Sequence, residues 1–259
     1  MPNNYTTHEV LYQNDTFRYI KTTIDLVRPL VINYPLCQTQ YIGINGGFYA
    51  PQSLDNYGVA PSRGCSINWI NGGYNNHLTN DEDPALGGDE NGHISRGTLC
   101  IYRTSSGIEK AFVISAKSVD EIITVLPPMN FVAMIGGGNL CLRETDETWE
   151  NVQAAEGFGW QHTTALCRRS AVAVKYNEHT GQTDAYLVVS TSWSTMGMMR
   201  RFCRDYLGCD QGLYLDGSGS TQMQWRDSAN ILHQDMGSDD DRYEYGRYIW
   251  NMVNIIDPT

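Results

Sequence analysis

Several kinds of site are missing from this sequence, and each absence narrows its function. The seven cysteines are scattered without a C-x-x-C pair, and no zinc-ligand spacing is present. Such cysteines fit a reducing compartment better than a disulfide framework. No apolar run approaches the length that crosses a membrane. We therefore expect neither a disulfide-stabilised module nor a zinc domain, and no membrane partner.

Positive charge is also scarce. The chain has only 18 Lys and Arg residues but 29 Asp and Glu residues, which gives a net charge of -11. This balance argues against a nucleic-acid partner, because nucleic-acid-binding surfaces are basic. It also repels an anionic substrate at long range, so such a substrate would need local cations.

Cofactor and nucleophile motifs are absent from the glycine-rich stretches. Gly136-Gly137-Gly138 has neither the spacing of a dinucleotide fingerprint nor a following amphipathic helix. No lysine follows the glycines around Ser218, which excludes a P-loop, and neither Ser218 nor Ser220 lies in a G-x-S-x-G elbow. We therefore expect no cofactor.

The acidic segment Asn71–Gly92 raises the possibility of a calcium loop. Ala85 and Leu86 stand where an EF-hand needs a ligand and a glycine, so the pattern fails. This segment is predicted to be a solvated loop, and no metal is expected.

The first residues carry neither the basic nor the apolar region of a signal peptide. This predicts a cytoplasmic protein, although a phage-encoded protein or a trimmed exported protein is also compatible with the sequence. The oligomeric state cannot be read from these features.

Tyrosine and glycine are abundant, with 16 and 25 residues, which is typical of many short strands and turns. No internal repeat and no linker-like segment is present. The predicted fold is α+β: one compact domain over residues 1–259, with mixed, mostly antiparallel sheets and a few helices. The predicted strands are Phe17–Val27, Tyr41–Ile44, Thr98–Arg103, Ala111–Ser115, Phe131–Ile135, Ala171–Val174, Tyr186–Val189, Gly212–Leu215 and Tyr248–Ile256.

Two helices have clear signals. Ser118 to Glu121 matches a capping box and opens the first. Ser192–Gly208 carries apolar residues at helical spacing, with Gly208 as its C-terminal stop. The face of this second helix opposite the apolar residues is predicted to carry Arg200, Arg201, Arg204 and Asp205, exposed to solvent.

The stretch Tyr214–Thr221 places one acid, Asp216, between a short apolar run and a glycine-rich turn. Glycines let the backbone approach a ligand closely, and consecutive N–H groups can form an anion-binding concavity. A carboxylate at a strand end is typical of site residues. On this stretch alone, an Asp-Gly hairpin turn explains the residues equally well.

Two further segments are ambiguous when taken alone. Asn45-Gly46-Gly47 follows a strand and predicts a tight turn with positive φ, for which a hairpin is the simpler interpretation. Arg168 and Arg169 directly precede a buried strand. Surface arginines are common, yet two arginines at such a position can hold a phosphate bidentately.

The order of these signals is more specific than any one of them. Asn-Gly-Gly-Phe-Tyr, Gly-Gly-Gly, an Arg-Ser-Ala-Val strand and Leu-Asp-Gly-Ser-Gly-Ser-Thr follow one another, and an Arg…Asn pair, Arg247 and Asn251, comes last. This order resembles the phosphodiester glycosidase family over residues 41–255. By position, the family motifs match Asn45, Gly46, Gly47, Gly137, Gly138, Arg169, Asp216, Gly217, Gly219 and Ser220.

The chain departs from the family pattern at three positions. Ser218 and Ala173 stand where the family has glycines, and Arg168 stands where it has a proline. These departures bear on the substrate more than on the fold.

The resemblance implies hydrolysis of the glycosidic bond of a sugar-1-phosphodiester or nucleotide-sugar-like substrate, releasing free sugar and a phosphate monoester. A phosphate monoester has a second pKa of about 6 and leaves more readily than an alcohol, so cations matter more than an acid. The implied catalytic residues are Asp216, Arg169 and Asn45. Substrate contacts are expected from Gly46, Gly47, Gly137, Gly138, His162, Arg168, Gly217, Ser218, Gly219, Ser220, Thr221 and Arg247.

In this scheme Asp216 is a base, a nucleophile or an oxocarbenium stabiliser, and Arg169 neutralises the departing phosphate. Glu144, Glu156 and Asp210 are unranked candidates for a second carboxylate. His162 is either an acid or a satisfied core histidine.

A different class of function fits the same residues. The cleft could bind a sugar nucleotide or a signalling nucleotide without turnover, or the domain could be a carbohydrate-binding module of a phage particle. Release of free reducing sugar would separate hydrolysis from these alternatives.

Overall fold

A computed structural model describes residues 4–50, 59–82, 92–236 and 246–256. Within these ranges, strands dominate, helices are few and every strand pair is antiparallel. The predicted α+β class with mostly antiparallel sheets is therefore confirmed. No helix in the described ranges has both the length and the apolar character that spanning a bilayer requires.

The strands are β1 (Thr6–Tyr12), β2 (Asp15–Thr23), β3 (Val27–Tyr34), β4 (Gly43–Asn45), β5 (Tyr49–Ala50), β6 (Arg63–Gly64), β7 (Asn68–Ile70), β8 (Arg96–Arg103), β9 (Glu109–Ala116), β10 (Asn130–Gly136), β11 (Gly138–Asn139), β12 (Ser170–Asn177), β13 (Gln182–Ser190), β14 (Gln211–Tyr214), β15 (Gln222–Arg226), β16 (Leu232–Met236) and β17 (Ile249–Ile255). The α-helices are α1 (Val119–Val125), α2 (Asp146–Ala155), α3 (Trp160–Thr164) and α4 (Met196–Arg201). A π-helix, Phe202–Tyr206, continues α4, and short 3₁₀ helices occupy Ile24–Leu26, Leu36–Gln38 and Ser218–Ser220.

Three sheets and a two-stranded ribbon make up the fold. The largest sheet has six strands in the order β1-β2-β13-β12-β14-β11. A five-stranded sheet has the order β16-β15-β4-β17-β3, and a four-stranded sheet has the order β7-β10-β8-β9. Strands β5 and β6 form the ribbon.

The six-stranded sheet is buried on both faces. Side chains alternate along a strand, so Val172 and Val174 of β12 join one core cluster, which the five- and four-stranded sheets complete. Ala171 and Ala173 join the opposite cluster, against the α4 side chain of Met199. This double burial explains why β12 begins as an uninterrupted apolar run.

Most predicted strands are confirmed, but one predicted strand and one predicted helix have different bounds in the structure. The predicted strand Phe17–Val27 is interrupted by the 3₁₀ helix at Ile24–Leu26, which separates β2 from β3. The helix predicted over Ser192–Gly208 begins only at Met196, because Thr195 caps it by accepting from the Met198 N–H.

Two burial predictions are wrong. Arg200 is 1% exposed rather than on a solvent face, since its guanidinium donates to the carbonyls of Leu140, Cys141 and Glu144. Asp81, predicted in a solvated loop, is 4% exposed and is held by His93 Nδ1 at 2.9 Å. The rest of that acidic stretch, residues 83–91, lies outside the described ranges.

The glycines of the first motif allow close packing of neighbouring segments and do not form a turn with positive φ. Neither Gly46 nor Gly47 has positive φ, so the predicted turn conformation is wrong. A Cβ on Gly46 would lie 2.2 Å from Asn251 Oδ1, and one on Gly47 would lie 2.4 Å from the Gly136 carbonyl oxygen. The hairpin interpretation is also wrong, because β4 pairs with β15 and β17 and not with β5.

Gly137 provides a test of this close packing. The methyl group introduced by Gly137→Ala would meet the Tyr214 carbonyl oxygen at 2.5 Å. We expect the free energy of unfolding, measured by urea titration, to fall by about 1–3 kcal/mol or more. Gly159→Ala is the control, because nothing lies within 4 Å of its added Cβ. Equal stability of the two variants would contradict the packing argument.

Candidate active site

The site is built where strand ends from two sheets meet. Strands β12 and β14 are antiparallel, with Ala171 opposite Tyr214, so the start of β12 lies beside the end of β14. The Leu215 N–H donates to the Ser170 carbonyl at 2.8 Å, and the Ser218 N–H donates to the Arg168 carbonyl at 2.8 Å. Backbone hydrogen bonds thus connect the segment before β12 with the segment after β14.

Asn45, at the end of β4, holds these segments together. Its side-chain amide donates to the Asp216 carbonyl at 2.7 Å and to the Gly46 carbonyl at 3.3 Å. Its side-chain oxygen accepts from the Ser170 hydroxyl at 2.6 Å and from the Gln222 N–H at 3.1 Å. All four hydrogen-bonding positions of the amide are therefore used within the protein.

Asp216 is half-buried at the end of β14, next to the first motif. Its N–H donates to the Gly46 carbonyl at 3.2 Å, and its carboxylate Oδ1 accepts from the Gly217 N–H at 2.9 Å. The charge of this carboxylate also affects two neighbouring side chains. Burial raises the pKa of Tyr49, and the Asp216 charge raises it further. Burial lowers the pKa of Arg169, and the Asp216 charge opposes that shift. The Asp216 carboxylate therefore lies close enough to Arg169 and Tyr49 for its charge to act on both side chains.

The residues after Asp216 do not form a hairpin. They form the 3₁₀ helix Ser218–Ser220, which carries the chain from β14 in one sheet to β15 in another. Ser218 has φ of 55°, a left-handed conformation that favours glycine. This accounts for the family's glycine at the position that Ser218 occupies.

Two arginine side chains pack against the Gly217–Ser220 turn, each at a different glycine. A Cβ on Gly217 would lie 3.0 Å from the Arg168 carbonyl oxygen and 3.7 Å from Arg169 Cδ. A Cβ on Gly219 would lie 3.1 Å from Arg247 Cζ. The glycines of the motif therefore make room for the arginines as well as for the backbone.

The Arg169 guanidinium is held by main-chain carbonyls. Nη2 donates to His162 at 2.9 Å and Ala165 at 2.6 Å, and Nε donates to Ser194 at 3.3 Å. No residue of the described ranges accepts from Nη1, which leaves two N–H donors for a ligand. Burial lowers the pKa of Arg169, but arginine stays protonated at neutral pH.

The Arg168 side chain has a different partner. Its Nη1 pairs with Asp235 Oδ1 at 3.2 Å, and the same carboxylate accepts from Arg18. The two neighbouring arginines therefore diverge, and Arg168 reaches the turn through its carbonyl oxygen.

The other predicted site residues contact neighbouring parts of the protein. Two glycines pack against Tyr214, the last residue of β14. The space above Gly138 is filled by the Tyr214 ring, and Gly137 lies against the Tyr214 carbonyl. His162 contributes its carbonyl to Arg169, and its Nδ1 is buried with no hydrogen-bond partner in the described ranges. Thr221 is 2% exposed and leads into β15.

Two site residues were missed by sequence reasoning. Tyr49 closes the first motif, and its hydroxyl lies 3.0 Å from Ser220 Oγ. Burial raises the pKa of the Cys167 thiol, while Arg169 and the Ser218 N–H oppose that shift. Tyr49 could have been found as the last residue of its motif, whereas no sequence signal distinguished Cys167 from the other cysteines.

The three candidates for a second carboxylate each have partners other than Asp216. Asp210 precedes β14, at the opposite end of that strand from Asp216, and pairs with Arg143 at 3.1 Å. Glu156 is 2% exposed and accepts from the Asn139 N–H at 2.9 Å. Glu144 is exposed, and its N–H donates to the Cys141 carbonyl.

Metal-ligand chemistry is not evident in the part of the chain that the structure describes. No group of three or more His, Cys, Asp or Glu side chains is arranged there to hold a metal ion.

The family assignment rests on the chain as a whole. The model of the phosphodiester glycosidase family matches residues 38–255. The chain belongs to the phosphodiester glycosidase family. No curated protein sequence matches it.

Solved structures share the fold of this chain at low sequence identity. The catalytic domain of zebrafish N-acetylglucosamine-1-phosphodiester alpha-N-acetylglucosaminidase, auto-inhibited by its pro-peptide, is 16% identical with a TM-score of 0.58, over 98% of this chain and 82% of that one. A putative exported protein from Burkholderia pseudomallei is 9% identical with a TM-score of 0.57, over 94% and 74%. A hypothetical protein from Synechocystis is 15% identical with a TM-score of 0.50, over 97% and 62%. Identities this low show the shared fold alone.

Glu156 gives the site region a pH-dependent stability. Burial raises its pKa to about 7, so the folded protein binds this proton more tightly than the unfolded chain does. The contribution is therefore fully present below about pH 4.5 and is lost as pH rises through about 7. In Glu156→Gln, we expect this decline in unfolding free energy, on the order of 2 kcal/mol, to be much smaller.

The measurement is urea unfolding between about pH 5 and 8, and Glu144→Gln, at an exposed carboxylate, is the control. The assignment fails if Glu156→Gln and the wild type lose stability equally across this range.

Proposed function

We propose that this phosphodiester glycosidase family member hydrolyses the glycosidic bond of a sugar-1-phosphodiester or nucleotide-sugar-like substrate. The products would be the free sugar and a phosphate monoester. The observation that carries the proposal is one short turn, Gly217–Ser220, that begins at a carboxylate and is packed by Arg169 and Arg247.

The chemistry assigns one role to each charged group. Asp216 takes a proton from water, whose oxygen forms a bond to the anomeric carbon. The bond between that carbon and the phosphate oxygen breaks, and the phosphate leaves with the electron pair. The Nη1 donors of Arg169 and the guanidinium of Arg247 neutralise the growing negative charge on the phosphate.

The arginines can supply this stabilisation because they are held in place before the substrate arrives. Arg169 is fixed through Nε and Nη2, so little side-chain entropy is lost when Nη1 binds. Asn45 supports the reaction indirectly: its amide fixes the Asp216 backbone, and its hydrogen-bonding capacity is already used within the protein.

A panel of glycosyl-1-phosphodiesters and nucleotide sugars tests the proposal by release of reducing sugar. We expect Asp216→Asn to lower kcat/KM by about 10³-fold, within the range of general-base contributions, because Asn cannot accept the water proton. The thermal transition should stay near that of the wild type, since Asp216 is half-buried and Asn can still accept from the Gly217 N–H.

Asp120→Asn, which changes an exposed carboxylate in the first turn of α1, is the matched control and should retain full activity. Full turnover by Asp216→Asn would show that the role of Asp216 is wrong. Substrates that raise the melting temperature without any release of sugar would indicate a non-catalytic binder instead.

A further inference from the structure

Tyr49 is a buried tyrosine whose hydroxyl reaches the Gly217–Ser220 turn. The residue is 6% exposed and its ring lies in a core cluster with Ile249 and Met252. The phenol oxygen lies 2.9 Å from the Tyr248 carbonyl oxygen and 3.0 Å from Ser220 Oγ. A phenylalanine would fill the same core space, so packing does not require the hydroxyl.

The geometry fixes the direction of each hydrogen bond. A phenol has one proton, and a carbonyl oxygen can only accept, so Tyr49 donates to Tyr248. The Ser220 hydroxyl must therefore donate to Tyr49. Ser220 Oγ in turn accepts from Arg247 Nη1 at 3.4 Å. The Arg247 guanidinium also interacts directly with the Tyr49 hydroxyl. The four residues therefore form one hydrogen-bonded chain with a direct Arg247–Tyr49 contact across it, and it ends at the Tyr248 carbonyl.

This chain closes on itself through the backbone. Arg247 and Tyr248 are adjacent, so the carbonyl that accepts the last hydrogen bond belongs to the residue next to the first donor. The Arg247 carbonyl is held separately, because it accepts from the Gln222 side-chain amide at 2.7 Å. Both the backbone and the guanidinium of Arg247 are thus tied to the segment that follows Asp216.

We propose that Tyr49 is a positioning residue, which orients Ser220 and thereby holds the Arg247 guanidinium over Gly219 to receive the substrate phosphate. The inference rests on the proposed function, in which Arg247 neutralises the leaving phosphate. It adds a residue of the first motif to the phosphate-binding half of the site.

Tyr49 and Ser220 are excluded from the chemical step itself. Burial raises the pKa of the Tyr49 hydroxyl, and the Asp216 carboxylate raises it further. The phenol therefore stays protonated at neutral pH and cannot remove the Ser220 proton. Because that proton is directed at a neutral phenol rather than at a base, Ser220 is not an activated nucleophile.

A double-mutant cycle tests the coupling between Tyr49 and Ser220. We expect Tyr49→Phe and Ser220→Ala each to lower kcat/KM about 10-fold, mainly through kcat, because charge on the phosphate grows in the transition state. The kcat/KM of the double variant should lie within about 2-fold of that of the less active single variant, since both changes break the same chain. The dissociation constant for inorganic phosphate, measured by calorimetry, should show the same lack of additivity.

Tyr5→Phe is the matched control. The Tyr5 hydroxyl also bonds main-chain groups, accepting from the Arg226 N–H at 2.7 Å and lying 3.2 Å from the Arg226 carbonyl. We expect this change to leave kcat/KM and phosphate affinity within about 2-fold of the wild type, whatever its effect on the melting temperature. If the role of Tyr49 were merely structural, Tyr49→Phe and Tyr5→Phe would have similar kcat/KM and similar phosphate affinity.

The outcomes separate this inference from the proposed function. Effects of the two single variants that multiply in the double variant would overturn the positioning role. Coupled losses of phosphate affinity in a protein that releases no sugar would overturn the hydrolysis and leave the positioning role standing. A wild-type protein that neither binds phosphate nor releases sugar would overturn both.

Discussion

The candidate site depends on one buried amide, the side chain of Asn45. It bonds to four groups, which lie just after β4, at the start of β12, just after β14 and at the start of β15. These strands come from two different sheets, so no continuous ladder of backbone hydrogen bonds could hold them in register. A buried amide with all its partners satisfied is stabilising, whereas one lost partner would leave a costly unpaired group. The position of Asp216 therefore rests on a network that tolerates little change.

Glycine makes this convergence possible, because the strand ends approach more closely than side chains permit. Gly46 lies against Asn251, Gly47 against Gly136, and Gly137 against the Tyr214 carbonyl. Each contact joins two motifs that are distant in sequence. The same principle applies to Gly217 and Gly219, where the absent Cβ atoms leave room for arginine side chains.

Local patterns predicted the strands and the order of the motifs, but not the contacts among them. The apolar run of β12 and the stop at Gly208, whose φ is 66°, followed from composition and spacing. The burial of Arg200 did not, because its acceptors are carbonyls from a loop sixty residues earlier. The motif that ends at Tyr49 could have singled out this residue, but nothing in its own segment indicates that its hydroxyl contacts Ser220. The left-handed backbone at Ser218 was within reach, since the family has a glycine there.

An acidic protein can bind an anion when its cations lie at contact distance. The net charge of -11 repels a phosphate from far away, but mobile ions screen exposed charges beyond about 8 Å at physiological ionic strength. Within the turn, half-buried guanidinium groups are screened much less, so Arg169 and Arg247 would act on a phosphate more strongly than the distant surface charges do. For the phosphate-bearing substrate proposed above, the surface charge would reduce the rate of encounter, whereas the affinity would depend on how rigidly these two arginines are held. That rigidity comes from main-chain carbonyls for Arg169 and from the Ser220–Tyr49 chain for Arg247.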